Sequence, residues 1–157
     1  MAYVGDDHPV AVGDRTTAMV LARLLAVYPM VLRPFGENQR YDLLIDDYER
    51  FIRVQCKTGR LRQGAVRFNT CSVTYHHPNN QGAKAYRHHY RDAADVFGVY
   101  CPELDRVYLV PVEEVGTNVA ALRVDPPKNS QRKRVRWASD YELKGAGLAQ
   151  LGRASLL

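Results

Sequence analysis

Tyr41-Asp42-Leu43-Leu44-Ile45-Asp46, the turn-like Asp46-Asp47-Tyr48-Glu49 and Phe51-Ile52-Arg53-Val54-Gln55-Cys56-Lys57 decide how the rest of the chain is read. Both outer segments are apolar and β-branched, so each is expected to be a buried strand, with the polar turn joining them. A hairpin serving only as core would keep polar groups off its inward face. Here Asp42 opens the first strand, and Gln55 and Lys57, two apart on the second, share one face. A carboxylate, an amide and an ammonium brought together can hold a hard cation and a phosphate. Burying them without partners costs on the order of several kcal/mol. The alternative is that Gln55 and Lys57 simply pair with Asp42 as a structural polar network.

The succession of Asp, turn and (Asp/Glu/Gln)-x-Lys resembles the core of the PD-(D/E)XK nucleases. The wording Pro34-Phe35-Gly36-Glu37-Asn38-Gln39-Arg40-Tyr41-Asp42-Leu43, then Arg53-Val54-Gln55-Cys56-Lys57-Thr58-Gly59-Arg60, is similar to one branch, the group I intron-associated homing endonucleases. In that branch Gln often precedes x-Lys. Asn69-Thr70-Cys71-Ser72, Tyr100-Cys101-Pro102-Glu103, Val110-Pro111-Val112 and Asp125-Pro126-Pro127-Lys128-Asn129 extend the similarity.

The resemblance implies an α/β fold with a restriction-endonuclease-like core, a mixed β-sheet flanked by helices. It also implies a metal-dependent endonuclease acting on double-stranded DNA as a homo-oligomer, a dimer or a tetramer. The catalytic set would be Asp42, Gln55 and Lys57. Asp42 would be the anionic metal ligand, Gln55 a neutral one through its side-chain oxygen, and the Cys56 backbone carbonyl a third. Lys57 would orient or help deprotonate the attacking water. Mg²⁺ is the expected cofactor, with Mn²⁺ able to substitute. The same chemistry fits a Holliday-junction resolvase, and the fold alone fits a DNA-binding module that does not cut.

One departure bears on activity. Members of the family usually carry a Glu in the first helix four residues after a Gly, but here Gly13 is followed four on by Thr17. Asp14 lies three residues before Thr17, on a similar helical face. It either reaches the metal or caps the helix.

The 157 residues suit one domain, expected over 11–143 between a flexible leader (1–10) and a dispensable tail (144–157). Within the tail, 146–154 resembles a forward translation of the D-arm end of a tRNA gene. A net charge of +5 fits a polyanionic partner without requiring one. Three irregularly spaced cysteines argue against a disulfide framework, and no apolar run approaches a membrane span, so a cytoplasmic protein with no membrane partner is expected.

The spacing predicts a helix over 14–27, with Met19, Val20, Ala22, Leu24, Leu25 and Val27 buried. Strands are predicted at 30–33 (an edge), 65–70, 95–100, 107–110 and 120–124. Arg60 to Gly64 reads as a turn, 71–81 as a polar loop, 83–91 as a short helix, and 111–115 and 138–143 as helical turns, all around a single core. Base contacts are assigned to Tyr75, His76, His77, Asn79, Asn80 and Gln81, since Asn and Gln bond adenine edges. Phosphate contacts are assigned to Arg60, Arg62 and the basic run Arg132, Lys133, Arg134 and Arg136, with Arg67, Lys84, Arg87 and Arg91 also suited. Solvated turns would look the same. Cys71 with His76, His77, His88 and His89 matches no zinc-finger spacing.

Overall fold

A computed structural model of the chain describes residues 8–76, 82–129 and 133–145. Helix α1 (Pro9–Leu25) opens on Pro9, whose ring presets the helical φ and whose missing N–H has no partner to lose there. The His8 imidazole accepts the Val10 N–H at 3.4 Å. Asp14 therefore lies inside the helix and does not cap it, and the expected leader gives way to helix from Pro9; residues 1–7 lie outside the described residues. Thr16, Val20 and Leu24, four apart, form the buried stripe. Ala22 and Leu25 face outward instead of joining it.

Among the described residues ten strands follow in chain order: β1 (Met30–Leu32), β2 (Leu43–Asp46), β3 (Phe51–Thr58), β4 (Arg60–Arg62), β5 (Ala65–Asn69), β6 (Cys71–His76), β7 (Lys84–His89), β8 (Val96–Cys101), β9 (Arg106–Pro111) and β10 (Val119–Arg123). A short 3-10 turn (Val112–Glu114) and helix α2 (Ala138–Tyr141) complete the described elements. The main sheet has the order β1-β2-β3-β8-β9. All its pairs are antiparallel except β3 with β8, where Gln55 stands beside Phe97 and Lys57 beside Val99. A parallel pair needs a long crossover. Here β4 to β7 supply it, as a second sheet (β10-β5-β4) and a separate two-stranded ribbon (β6-β7).

Alternation along β3 and its neighbours divides the interior in two. Ile52, Val54 and Cys56 face α1 with Val20, Leu24, Leu43, Ile45, Val96 and Val107. On the other side, Phe97, Val99, Tyr108 and Val110 pack against Val66, Phe68 and Leu122 of the second sheet, and against Tyr90. Two buried clusters, one on each face of the main sheet, replace the expected single core. Gly98 lets α1 lie close to the sheet, for a Cβ there would stand 2.8 Å from Val20 Cγ1 and 2.9 Å from Val54 Cγ1.

Three segments differ from expectation. Residues 60–62 are strand, and only Gln63 and Gly64 turn, with φ of 50° and 71°. The stretch read as a loop contains β6, and the stretch read as a helix is β7, paired with it from Cys71↔His89 to His76↔Lys84. Neither strand of that ribbon has a continuous buried face, so hydrophobic alternation does not mark it.

Candidate functional site

β3 runs on past the point where β2 begins, so the two strands part at Asp42. The Asp42 N–H donates to the Val54 carbonyl at 2.9 Å, one last rung of the ladder. Beyond it β2 no longer flanks that edge of β3 at Cys56, and the Asp42 carboxylate takes its place. Its Oδ2 accepts the Cys56 N–H at 2.8 Å and Gln55 Nε2 at 2.7 Å. Gln55 Nε2 also lies 3.4 Å from the Cys56 carbonyl oxygen. Burial pushes the Asp42 carboxyl above its ordinary value, while the Cys56 N–H and the charges of Lys57 and Arg33 pull it down.

The three groups assigned to a metal thus converge within hydrogen-bond range. The two ends of an amide are nearly the same shape, and a half-turn of the Gln55 amide would set Oε1 facing a carboxylate and a carbonyl. Three oxygens so placed repel one another unless a cation lies between them. An all-oxygen donor set of this kind suits a hard divalent ion such as Mg²⁺.

Lys57 is held apart from that group. Its ammonium donates to the Cys71 carbonyl at 3.1 Å and to the Tyr90 hydroxyl at 3.4 Å, and lies 4.6 Å from the centre of the Tyr90 ring. Gln55 pairs with Asp42 as the structural alternative requires. No ion pair joins Lys57 to Asp42 among the described residues, so that network is incomplete. Tyr90 is buried, braced edge-on by Phe97, and carries the Arg40 guanidinium 5.0 Å from its ring centre. Arg40 in turn donates to the His89 carbonyl at 2.6 Å. Tyr90 and Arg40 are site residues that the sequence reading missed, because nothing local links Tyr90 to a lysine 33 positions away.

The other expected contributors fall as follows. Thr17, where the resemblance leads one to expect Glu, lies beside the Cys56 thiol on the α1 face of β3. Burial pushes that thiol well above its ordinary range, which makes it inert as a nucleophile. Asp14 is exposed one turn earlier on α1, and the charges acting on Asp42 come from Lys57 and Arg33. Asp95 is committed elsewhere: it accepts the Arg53 backbone N–H at 2.8 Å and the Arg53 guanidinium at 2.9 and 3.1 Å. Among the described residues no three His, Cys, Asp or Glu side chains cluster as a metal site, so Asp42 supplies the negative charge alone.

The assigned nucleic-acid contacts lie on three exposed surfaces. Arg60 and Arg62 project from β4, and Arg60 stands directly opposite Arg67 of β5. Like charges in that relation are destabilising and are relieved by a bound anion. Tyr75 and His76 are exposed on β6. Lys133, Arg134 and Arg136 line an open cleft of about 730 Å³ with Arg123 and Lys128 beside β10. His77, Asn79, Asn80, Gln81 and Arg132 lie outside the described residues. A signal for this surface was present in the sequence and unused: from Arg50 to Arg91 there is no Asp or Glu, while Arg and Lys recur throughout.

Known proteins resemble this chain in sequence pattern and in fold. A sequence profile described as PD-(D/E)XK endonuclease matches residues 8–144. The solved structure of a bacterial homing endonuclease, I-Ssp6803I, shares the fold with a TM-score of 0.63 at 21% identity, over 86% of this chain and 88% of that one. No curated protein matches the chain.

Proposed function

Because the chain belongs to the PD-(D/E)XK endonuclease family, we propose that it hydrolyses phosphodiester bonds in double-stranded DNA with a divalent metal, as a homing endonuclease of the Gln-x-Lys kind. The observation that carries this reading is the convergence of Asp42, Gln55 and the Cys56 carbonyl where β2 and β3 part, with Lys57 on the same face of β3. Asp42, Gln55 and the Cys56 carbonyl would hold Mg²⁺, or Mn²⁺ in its place. The ion supplies an acidified water and offsets phosphate charge.

The chain's own groups do the rest. An ammonium has three N–H donors, and the Cys71 carbonyl and Tyr90 hydroxyl take two of those on Lys57. The third is left to orient the attacking water or to meet a phosphate oxygen. Arg60 and Arg67, which form no ion pair with a carboxylate among the described residues, would hold backbone phosphates. A long duplex site needs more than one copy of so small a domain. Met30 and Phe51, on either side of Asp46, and Leu32, opposite Leu44, are 45%, 66% and 39% exposed and support a homo-oligomer by offering apolar surface to a second copy.

A second reading, a DNA-binding module that no longer cuts, is favoured by one fact: Asp42 is the lone carboxylate of the group. The test is incubation of the purified chain with a supercoiled plasmid carrying the DNA that flanks its own gene, with Mg²⁺, Mn²⁺ or a chelator. Metal-dependent linear product supports the nuclease. Binding without cleavage in Mn²⁺ supports the second reading. Preference for a four-way junction over linear duplex points to a resolvase.

A further inference from the structure

Among the described residues, β6 and β7 are the strands that pair only with each other. All of β7 is exposed, as is β6 from Val73 onward. A lone two-stranded ribbon is marginal in water, and one exposed on both faces gains little from the body of the protein. Its two faces differ. Ser72, Thr74 and His76 alternate onto one face with His88, Tyr86 and Lys84 directly across from them. All six carry hydrogen-bonding groups, and none is aliphatic or acidic. The opposite face carries Val73, Tyr75, Ala85 and Arg87. On the polar face the side chains brace one another: Thr74 Oγ1 lies 3.2 Å from His88 Nε2, and the His76 and Tyr86 rings meet edge-on at 6.0 Å.

Resting on the nuclease reading above, we propose that this polar face is the sequence-reading element of the protein and enters the major groove of the duplex. The chemistry fits that occupant. Two paired strands are about 5 Å apart and a major groove is about 12 Å wide, room for a ribbon with its side chains. The acid-free composition around it suits a polyanion. Same-face residues on a strand are about 6.8 Å apart, roughly two base-pair steps, so the three rungs cover about five base pairs. The base of the ribbon is also tied to Lys57, through the Cys71 carbonyl at the start of β6 and Tyr90 just after β7. Bases read by the ribbon therefore stand at a fixed distance from the phosphate that Lys57 meets.

The test selects bound sequences from a randomised duplex library with the full chain and with His88→Ala, His76→Ala and the double charge reversal R134E/R136E. The altered side chains are exposed, and unchanged melting temperatures would show that all the variants fold. His88→Ala should lower discrimination roughly tenfold at positions nearest the cut, and His76→Ala by a similar factor about four base pairs further out. The charge reversal should weaken all sequences alike and flatten the salt dependence of binding, by about one unit of slope for each phosphate no longer neutralised. Variants of both histidines that select the same sequences as the parent, with the same discrimination, overturn the proposal and leave the nuclease reading standing. A parent chain that binds no duplex, or binds all sequences equally, overturns the proposal as well, and the former overturns the nuclease reading with it.

Discussion

β3 and the β6-β7 ribbon carry the polar side chains of this protein under opposite conditions. β3 has β2 on one side, β8 on the other and α1 beneath it, so Ile52, Val54 and Cys56 are buried while Gln55 and Lys57 are half-buried on the far face. Every neighbour of Gln55 and Lys57 is thereby set, and their hydrogen bonds fall at defined atoms of Asp42, Cys71 and Tyr90. Among the described residues, the strands of the ribbon pair only with each other, and it is at their base, through the Cys71 and His89 carbonyls, that they are tied to the rest of the chain. Bond-breaking chemistry needs groups held to a fraction of an ångström, which packing supplies. Recognition of a partner needs groups left in solvent, which packing would remove. On the reading proposed above, one strand of the sheet would serve the first need, and the excursion between β5 and β8 the second.

This contrast is most exposed to failure at its fixed end. Asp42→Ala and Lys57→Ala should each lower cleavage by about 10²–10⁴-fold, with duplex affinity by fluorescence anisotropy nearly unchanged. Cleavage at the parental rate in either variant would remove this active site. Stability should divide the same way. Ile52→Ala empties space between β3 and α1 and should cost about 2–4 kcal/mol in urea unfolding. Tyr75→Ala, on the exposed ribbon, should stay within about 0.5 kcal/mol of the parent. Equal losses at the two positions would mean that the ribbon packs as firmly as the sheet.

Two smaller effects concern the group proposed to hold the metal, on the rigid side of the contrast. Gln55→Glu adds a second carboxylate beside Asp42 and should tighten Mn²⁺ binding about tenfold by calorimetry. An unchanged titration would take Gln55 out of the ligand set.

The raised carboxyl of Asp42 gives the last prediction. A pKa lifted on folding favours the folded state below the ordinary value of 3.8, and that advantage is lost as pH rises through the raised value. At pH 7, without metal, the ionised group therefore works against folding, and an uncharged Asn does not. Asp42→Asn should melt above the parent at pH 7, with the gap shrinking toward pH 3. A gap independent of pH would show that desolvation is not what lifts this group.

The convergence of the candidate residues was legible because its information is local. Gln55 and Lys57 are two apart on a strand, and period-two alternation places them on one face whatever surrounds them. Asp42 sits at the near end of the same hairpin, so its approach to Gln55 follows once the turn at 46–49 closes. The strands β8, β9 and β10 were legible for a similar reason, as each buries at least one face against a neighbour. The ribbon was not, since two strands exposed throughout leave no apolar period in the sequence, and polar residues with tyrosines read equally well as a helix. The start of α1 was misplaced because Asp14 is a better capping residue by type than His8, whereas Pro9 made the earlier start possible.

Residue order alone was enough to bring one carboxylate, one amide and one ammonium onto a strand pair, and to make the region around them basic. Short-range alternation and charge carry that much without knowledge of any distant neighbour. Where Lys57 points was settled by the folded chain: toward Tyr90 and the Cys71 carbonyl at the root of the ribbon, and not toward Asp42. So was the building of the long passage from β3 to β8 out of strands, two of which are left in solvent. Both outcomes depend on which residues far apart in the chain come to share space, and neither a polar contact with a distant partner nor a strand pair left in solvent leaves a periodic trace in the order of the residues.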